Sequence, residues 1–94
     1  MIKHVVCFKL KNRADASMAV NMLLSMKGKV PGIRDIEAGA DLLGSDRSYD
    51  VILQVTLDSM QALEEYQNDP YHCSVVKPFM HSIREGSVAI DYEI

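Results

Sequence analysis

The stretch Leu43-Gly44-Ser45-Asp46-Arg47-Ser48-Tyr49-Asp50-Val51-Ile52-Leu53-Gln54-Val55-Thr56-Leu57 holds the plainest structural signal in the chain. A cluster of Gly, Ser and Asp gives way to Tyr49, Val51, Leu53, Val55 and Leu57 at every second position, with Asp50, Ile52, Gln54 and Thr56 between them. Successive side chains of a strand point to opposite faces, so the pattern predicts a strand over 49–57 with one buried face, entered through a turn. Upstream, Val30-Pro31-Gly32 punctuates the chain before Ile33-Arg34-Asp35-Ile36-Glu37-Ala38-Gly39, a weaker and partly charged alternation suited to an edge strand over 33–39. The two runs and the turn cluster between them read as an antiparallel hairpin.

Outward from the hairpin the period changes. Ile2, His4, Val6, Phe8 and Leu10 alternate with Lys3, Val5, Cys7 and Lys9, a first strand. After Lys11-Asn12-Arg13, with Asn12 or Asp15 placed to cap, Met18, Met22 and Met26 recur every four residues beside Ala19 and Leu23. That is a helix ending near Gly28, and its methionines read as core filler before they read as a ligand stripe. Beyond the hairpin, Asp58 or Ser59 can cap a helix to about Gln67, in which Met60, Leu63 and Tyr66 share a face. Asn68-Asp69-Pro70 is a further helix start, because Asp69 can accept an orphan amide hydrogen bond and Pro70 forgoes a donor that the first turn does not need. Val75, Val76, Phe79, Met80 and Ile83 continue an apolar face, and Pro78 predicts a kink or break. Gly86 is expected to end the segment before Val88, Ile90, Tyr92 and Ile94 alternate in a last strand.

The resulting βαββα(α)β order predicts an α+β, ferredoxin-like fold with a four-stranded antiparallel sheet. Helices would cover one face of that sheet, yet the weaker parity still carries Val5, Cys7, Ile52 and Ala89. A second copy packed sheet against sheet, burying on the order of 800 Å² per subunit, is the expected cover.

At 94 residues the chain is one domain, 1–94, with room for a single modest core. Its net charge of -3 and scattered Lys and Arg offer no basic stripe for nucleic acid. No apolar run approaches the roughly 18 residues of a membrane span, and the alternating amino terminus is unlike a signal peptide, so a cytoplasmic location is expected. Cys7 and Cys73 lack metal or disulfide spacing and read as free thiols. There is no Gly-rich phosphate loop, GxSxG elbow, HExxH helix or paired-carboxylate signature, so neither a metal nor a cofactor is expected.

Four side chains can carry chemistry. His72 falls in the first turn of its segment, where the helix terminus disfavours imidazolium and keeps a neutral base, while the Asp69 carboxylate pulls the other way. Tyr66 lies six residues earlier, and the intervening turn can fold both side chains toward one space. A phenol could then polarise a carbonyl while the imidazole removes the adjacent proton; the plainer alternative is a packed tyrosine and a solvated histidine. His4 sits at an apolar position of the first strand, the pattern of a half-buried histidine bonded to backbone. Asp91 either orients a histidine or faces water, and His81 has no partner at useful spacing.

Ile2-Lys3-His4-Val5-Val6 with Phe8-Lys9-Leu10-Lys11, Val30-Pro31-Gly32-Ile33 with Glu37 and Gly39, Tyr49-Asp50, Tyr66 through His72, and Asp91-Tyr92-Glu93 stand in one order and spacing over nearly the whole chain. Together they resemble the stress-responsive A/B barrel (Dabb) family. The resemblance implies a ferredoxin-like subunit that dimerises through its sheets into an α/β barrel, with a pocket between sheet and helices and no cofactor. Plant members of the family include a polyketide cyclase that works by aldol condensation; its histidine base and its tyrosine would correspond to His72 and Tyr66. His4 and Asp91 match pocket-lining positions, and Val6 and Phe8 would line the same substrate pocket. The chain departs from the family's His-Pro-x-His turn in having Asp69-Pro70-Tyr71-His72. The expectation is a homodimer that binds a small apolar molecule and transfers a proton on it. The alternatives are a non-catalytic stress-related binding or assembly protein and, behind it, a cofactor-free quinol monooxygenase of the related barrel group.

Overall fold

The computed structural model describes residues 1–94. β1 (Ile2–Leu10) leads through a single 3-10 turn, Arg13–Asp15, into α1 (Ala16–Leu24). β2 (Asp35–Ala40) and β3 (Val51–Leu57) form the hairpin, followed by α2 (Met60–Gln67). A wide π turn, His72–Val76, then runs without a break into α3 (Lys77–Ile83), and β4 (Arg84–Glu93) closes the chain. The sheet order is β2-β3-β1-β4 with every neighbouring pair antiparallel, the ferredoxin-like arrangement.

The clearest alternations of the sequence build the core. Phe8 and Leu10 of β1, with Val51, Leu53, Val55 and Leu57 of β3, face the helices and pack on Ala19, Leu23, Met26, Leu63, Tyr66 and Met80. Of the methionine stripe only Met26 is fully buried; Met18 is exposed. Asn12 accepts from the Ala14 amide at 3.0 Å, whereas Asp15 makes no side-chain cap bond. Ser59 accepts from the Ala62 amide at 3.1 Å and so caps α2, leaving Asp58 to pair bidentately with Arg34. Buried Asp50 accepts from the Leu10 amide at 2.8 Å and from Arg13 at 2.9 Å, tying the end of β1 and the 3-10 turn to the start of β3.

Three local expectations are corrected. β2 and β3 start two residues later than the alternation suggested, at Asp35 and Val51. Pro78 does not break its helix, because the π turn just before it bonds the Lys77 amide to the His72 carbonyl five residues back. The proline is thereby placed in the first turn of α3, where a missing donor costs little. Gly86 lies inside β4, which begins directly after α3 at Arg84.

The fourth correction positions the site. Lys9 pairs with Gly86 but Leu10 pairs with Arg84, so Glu85 is an extra residue in β4, a bulge. Beyond the bulge, Ser87, Ala89 and Asp91 stand opposite Phe8, Val6 and His4 and share the helix-side face. Ala89 is therefore not on the outer face as expected. Val88, Ile90 and Tyr92 take that face instead, 52%, 68% and 47% exposed, on the same side as Val5, Cys7 and Ile52. Because β4 offers small and polar side chains to the helices, a hollow is left where a regular amphipathic strand would have filled the core.

Candidate active site

The hollow has a volume of about 300 Å³ and lies between β1, β4 and the helical layer. Its walls include His4, Val6 and Phe8 from β1, Tyr66 from α2, and His72 from the π turn. Asp91 is not part of the wall; it stands behind His4, with Oδ1 2.5 Å from the ring Nδ1. That contact replaces the backbone partner expected for His4. With Nδ1–H donating to the carboxylate, Nε2 is left without a protein partner, fixed in tautomer and orientation by the strand pairing of His4 with Asp91.

Tyr66 is 1% exposed and packs against both imidazoles. Its ring centroid is 5.5 Å from that of His4, edge to face, and 4.8 Å from that of His72. The phenol donates only to the Met26 thioether, 3.7 Å away, a weak acceptor. Burial raises its pKa far above the usual phenol value, so the group is a hydroxyl donor and not a phenolate.

Several short contacts aim His72. The Asp69 carboxylate accepts from the Tyr71 amide at 2.8 Å and from the His72 amide at 3.2 Å, as the helix-start signal required. The Tyr71 hydroxyl is 2.6 Å from Ser25 Oγ at the end of α1, and Lys29 lies over the Tyr71 ring at 5.0 Å. The turn carrying His72 is thus pinned to α1, and π turns often mark sites where a side chain must be turned inward. His72 Nδ1 is buried and has no hydrogen-bond partner. Burial lowers the pKa of this ring, helped by nearby Lys77 and His4; the Gln67 carbonyl and the Asp69 carboxylate act in the opposite sense and are outweighed. Loss of solvent therefore decides the competition that the sequence left open, and Asp69 serves chiefly as a cap. In the neutral ring one nitrogen carries the proton and the other keeps a lone pair.

Lys77, His81, Arg84 and Gln67 also border the hollow, and none of them is among the site residues expected from the sequence. His81 is exposed, as expected, but at the lip of the cavity. Within this group only Lys77 and His81, four residues apart on α3, share a spacing that the sequence shows; Arg84 joins them from the start of β4. No cluster of three or more His, Cys, Asp or Glu side chains is arranged as metal ligands, and no helix is long and apolar enough to cross a membrane.

The family model described as Stress Responsive A/B Barrel Domain matches residues 2–94. No curated protein matches the sequence. Among solved structures, a dimeric ferredoxin-like protein of unknown function from Bacteroides fragilis is 22% identical, with a TM-score of 0.83 over 99% of this chain and 95% of its own. A dimeric ferredoxin-like protein of unknown function from Thermobifida fusca is 20% identical, with a TM-score of 0.84 over 99% of this chain and 90% of its own. The hydroxynitrile lyase of Passiflora edulis is 18% identical, with a TM-score of 0.80 over 99% of this chain and 92% of its own. At these identities the likeness is one of fold.

Proposed function

The chain belongs to the stress-responsive A/B barrel (Dabb) family, and from that premise we propose that it is a homodimer whose cavity binds a small, mostly apolar carbonyl compound and catalyses proton transfer beside the carbonyl. The observation that carries this reading is that Tyr66 and His72 both line one hollow, each with a polar atom that lacks a strong partner. The Tyr66 hydroxyl has only a thioether for a partner and His72 Nδ1 has none, with the two rings 4.8 Å apart. A buried polar group without a partner is costly, and a substrate supplying one oxygen and one acidic C–H would satisfy both.

In the proposed step the carbonyl oxygen accepts a hydrogen bond from Tyr66, and His72 Nδ1 takes the proton from the neighbouring carbon. The C–H electron pair becomes the enolate C=C bond, and the carbonyl π pair moves to the oxygen facing Tyr66. The enolate can be reprotonated or can attack a second carbonyl, which is aldol chemistry. His4, held by Asp91, is a second acid–base group beside Tyr66. Val6 and Phe8 would hold the apolar part of the ligand. The occurrence of a hydroxynitrile lyase on the same fold is compatible with catalysis here.

Deuterium uptake from D2O into the carbons flanking the carbonyl of 4-octanone, followed by proton NMR, tests the step. His72→Gln should lower the protein-dependent exchange rate at least 100-fold, and Tyr66→Phe by a similar factor. Exchange in the wild type no faster than in His72→Gln would overturn the catalytic assignment. Cavity amide shifts on adding the ketone without exchange would instead leave binding alone.

A further inference from the structure

We infer that the ligand of this cavity carries an anionic head, a carboxylate or phosphate-type group, held at the mouth by Lys77 and Arg84 while its carbonyl reaches Tyr66 and His72. The inference rests on the site reading above and adds the class of molecule to it. Lys77 and His81 lie one turn apart on α3, Arg84 opens β4 directly after that helix, and all three border a hollow with a largely apolar lining. None of the residues lining it is an Asp or Glu, although the chain as a whole has 13 acidic side chains against 10 Lys and Arg. The local excess of positive charge is thus opposite to the composition of the protein.

The two fixed cations are also unspent. The carboxylate pairs of this molecule join Arg13 to Asp41 and Asp50, Lys9 to Asp50, Arg34 to Asp58 and His4 to Asp91; Lys77 and Arg84 take part in none, nor in any side-chain hydrogen bond. Arg84 is half-buried at the start of β4, held by the pairing with Leu10 at the bulge, so its guanidinium starts from a fixed backbone. A guanidinium fork and an ammonium beside an apolar hollow suit an oxyanion with an apolar tail. At about 300 Å³ the hollow lies at the small end of the range of ligand cavities, which suits a small molecule.

The test compares 4-oxooctanoate, its isosteric amide 4-oxooctanamide, and 3-oxoheptylphosphonate, binding each to the full-length protein at pH 7.5 with NMR amide shifts and calorimetry. At least one of the two anions should bind about tenfold more tightly than the amide. That advantage should shrink with added salt and disappear in the Lys77→Gln, Arg84→Gln double variant. The relative affinity of the two anions identifies the head group. Equal affinity of all three for the wild type, or an anion preference that survives in the double variant, overturns the inference while leaving the carbonyl site in place. If none of the three shifts the amides of the cavity wall, the site reading falls, and the inference with it.

Discussion

At the scale of the residue, the reactivity of His72 is governed by how much water it has lost. Its pKa is lowered from the ordinary value near 6.5, first by burial, so the base is neutral at pH 7. The rate of exchange catalysed by the protein should therefore stay flat as pH falls through 6.5 and drop only at a lower inflection, to be seen in the pH profile of the 4-octanone reaction. Linkage gives the same group a stability signature. Between about 6.5 and the lower folded value the unfolded chain binds the proton that the folded one refuses, so stability falls as pH falls through that window. Urea midpoints measured at pH 7 and in that window should differ less in His72→Gln than in the wild type. Tyr66→Phe separates function from folding: it removes a hydroxyl bonded only to a thioether, so stability should change by less than about 1 kcal/mol although exchange collapses. The local signals for this pair, a capping Asp69 and the turn between Tyr66 and His72, were visible along the chain. Lys77 and Arg84 were not, because a cavity lip is defined by strand register and not by any one segment.

At the scale of the element, two polar side chains hold the scaffold of the site. Ser59 satisfies an amide at the start of the helix that delivers Tyr66, and Ser59→Ala should cost about 1 kcal/mol, or about 4–8 °C in Tm by differential scanning calorimetry. Asp50→Ala should cost more, about 2–3 kcal/mol in urea unfolding, because it strands the buried Leu10 amide and takes from Arg13 one of its two carboxylate partners. The pKa of Asp50 is lowered, chiefly by the Leu10 amide, so its contribution is present above the ordinary carboxylate range and lost as pH falls through its depressed value. The strands and helices were legible because each repeats its period several times, as Val51 to Leu57 does. The Pro78 segment was not, since proline chemistry dictates only that the α pattern must yield. That it yields by a wide turn ahead of the proline is not written in the local sequence. The side of the sheet chosen by Val88, Ile90 and Tyr92 was hidden for a similar reason: a single extra residue, Glu85, reverses the parity, and the bulge shows only once β4 is paired with β1.

At the scale of the whole molecule, the outer face of the sheet has to be accounted for. Only 18 of 94 residues are buried in the isolated chain, a small core for a domain of this length. Meanwhile Val88, Ile90 and Tyr92 lie exposed in a row on β4, beside Val5 and Cys7 of β1 and Ile52 of β3. Contiguous apolar surface of this kind marks an interface, and the sheet is flanked by helices on its other side alone. A self-complementary pairing of the two outer faces would bury on the order of 800 Å² per subunit and close the two sheets toward a barrel. Sedimentation should therefore give twice the 10.5 kDa chain mass at micromolar concentration. The Val88→Asp, Ile90→Asp double variant should sediment as a single chain with a lowered Tm, because each carboxylate would have to be buried without a partner in the pair. These side chains point away from the cavity, so a dimer needed only for stability would leave the dissociated variant able to bind 4-oxooctanamide. A wild-type chain that sediments at 10.5 kDa, or a double variant that stays paired, would show that the apolar row on β4 is not the contact between protomers.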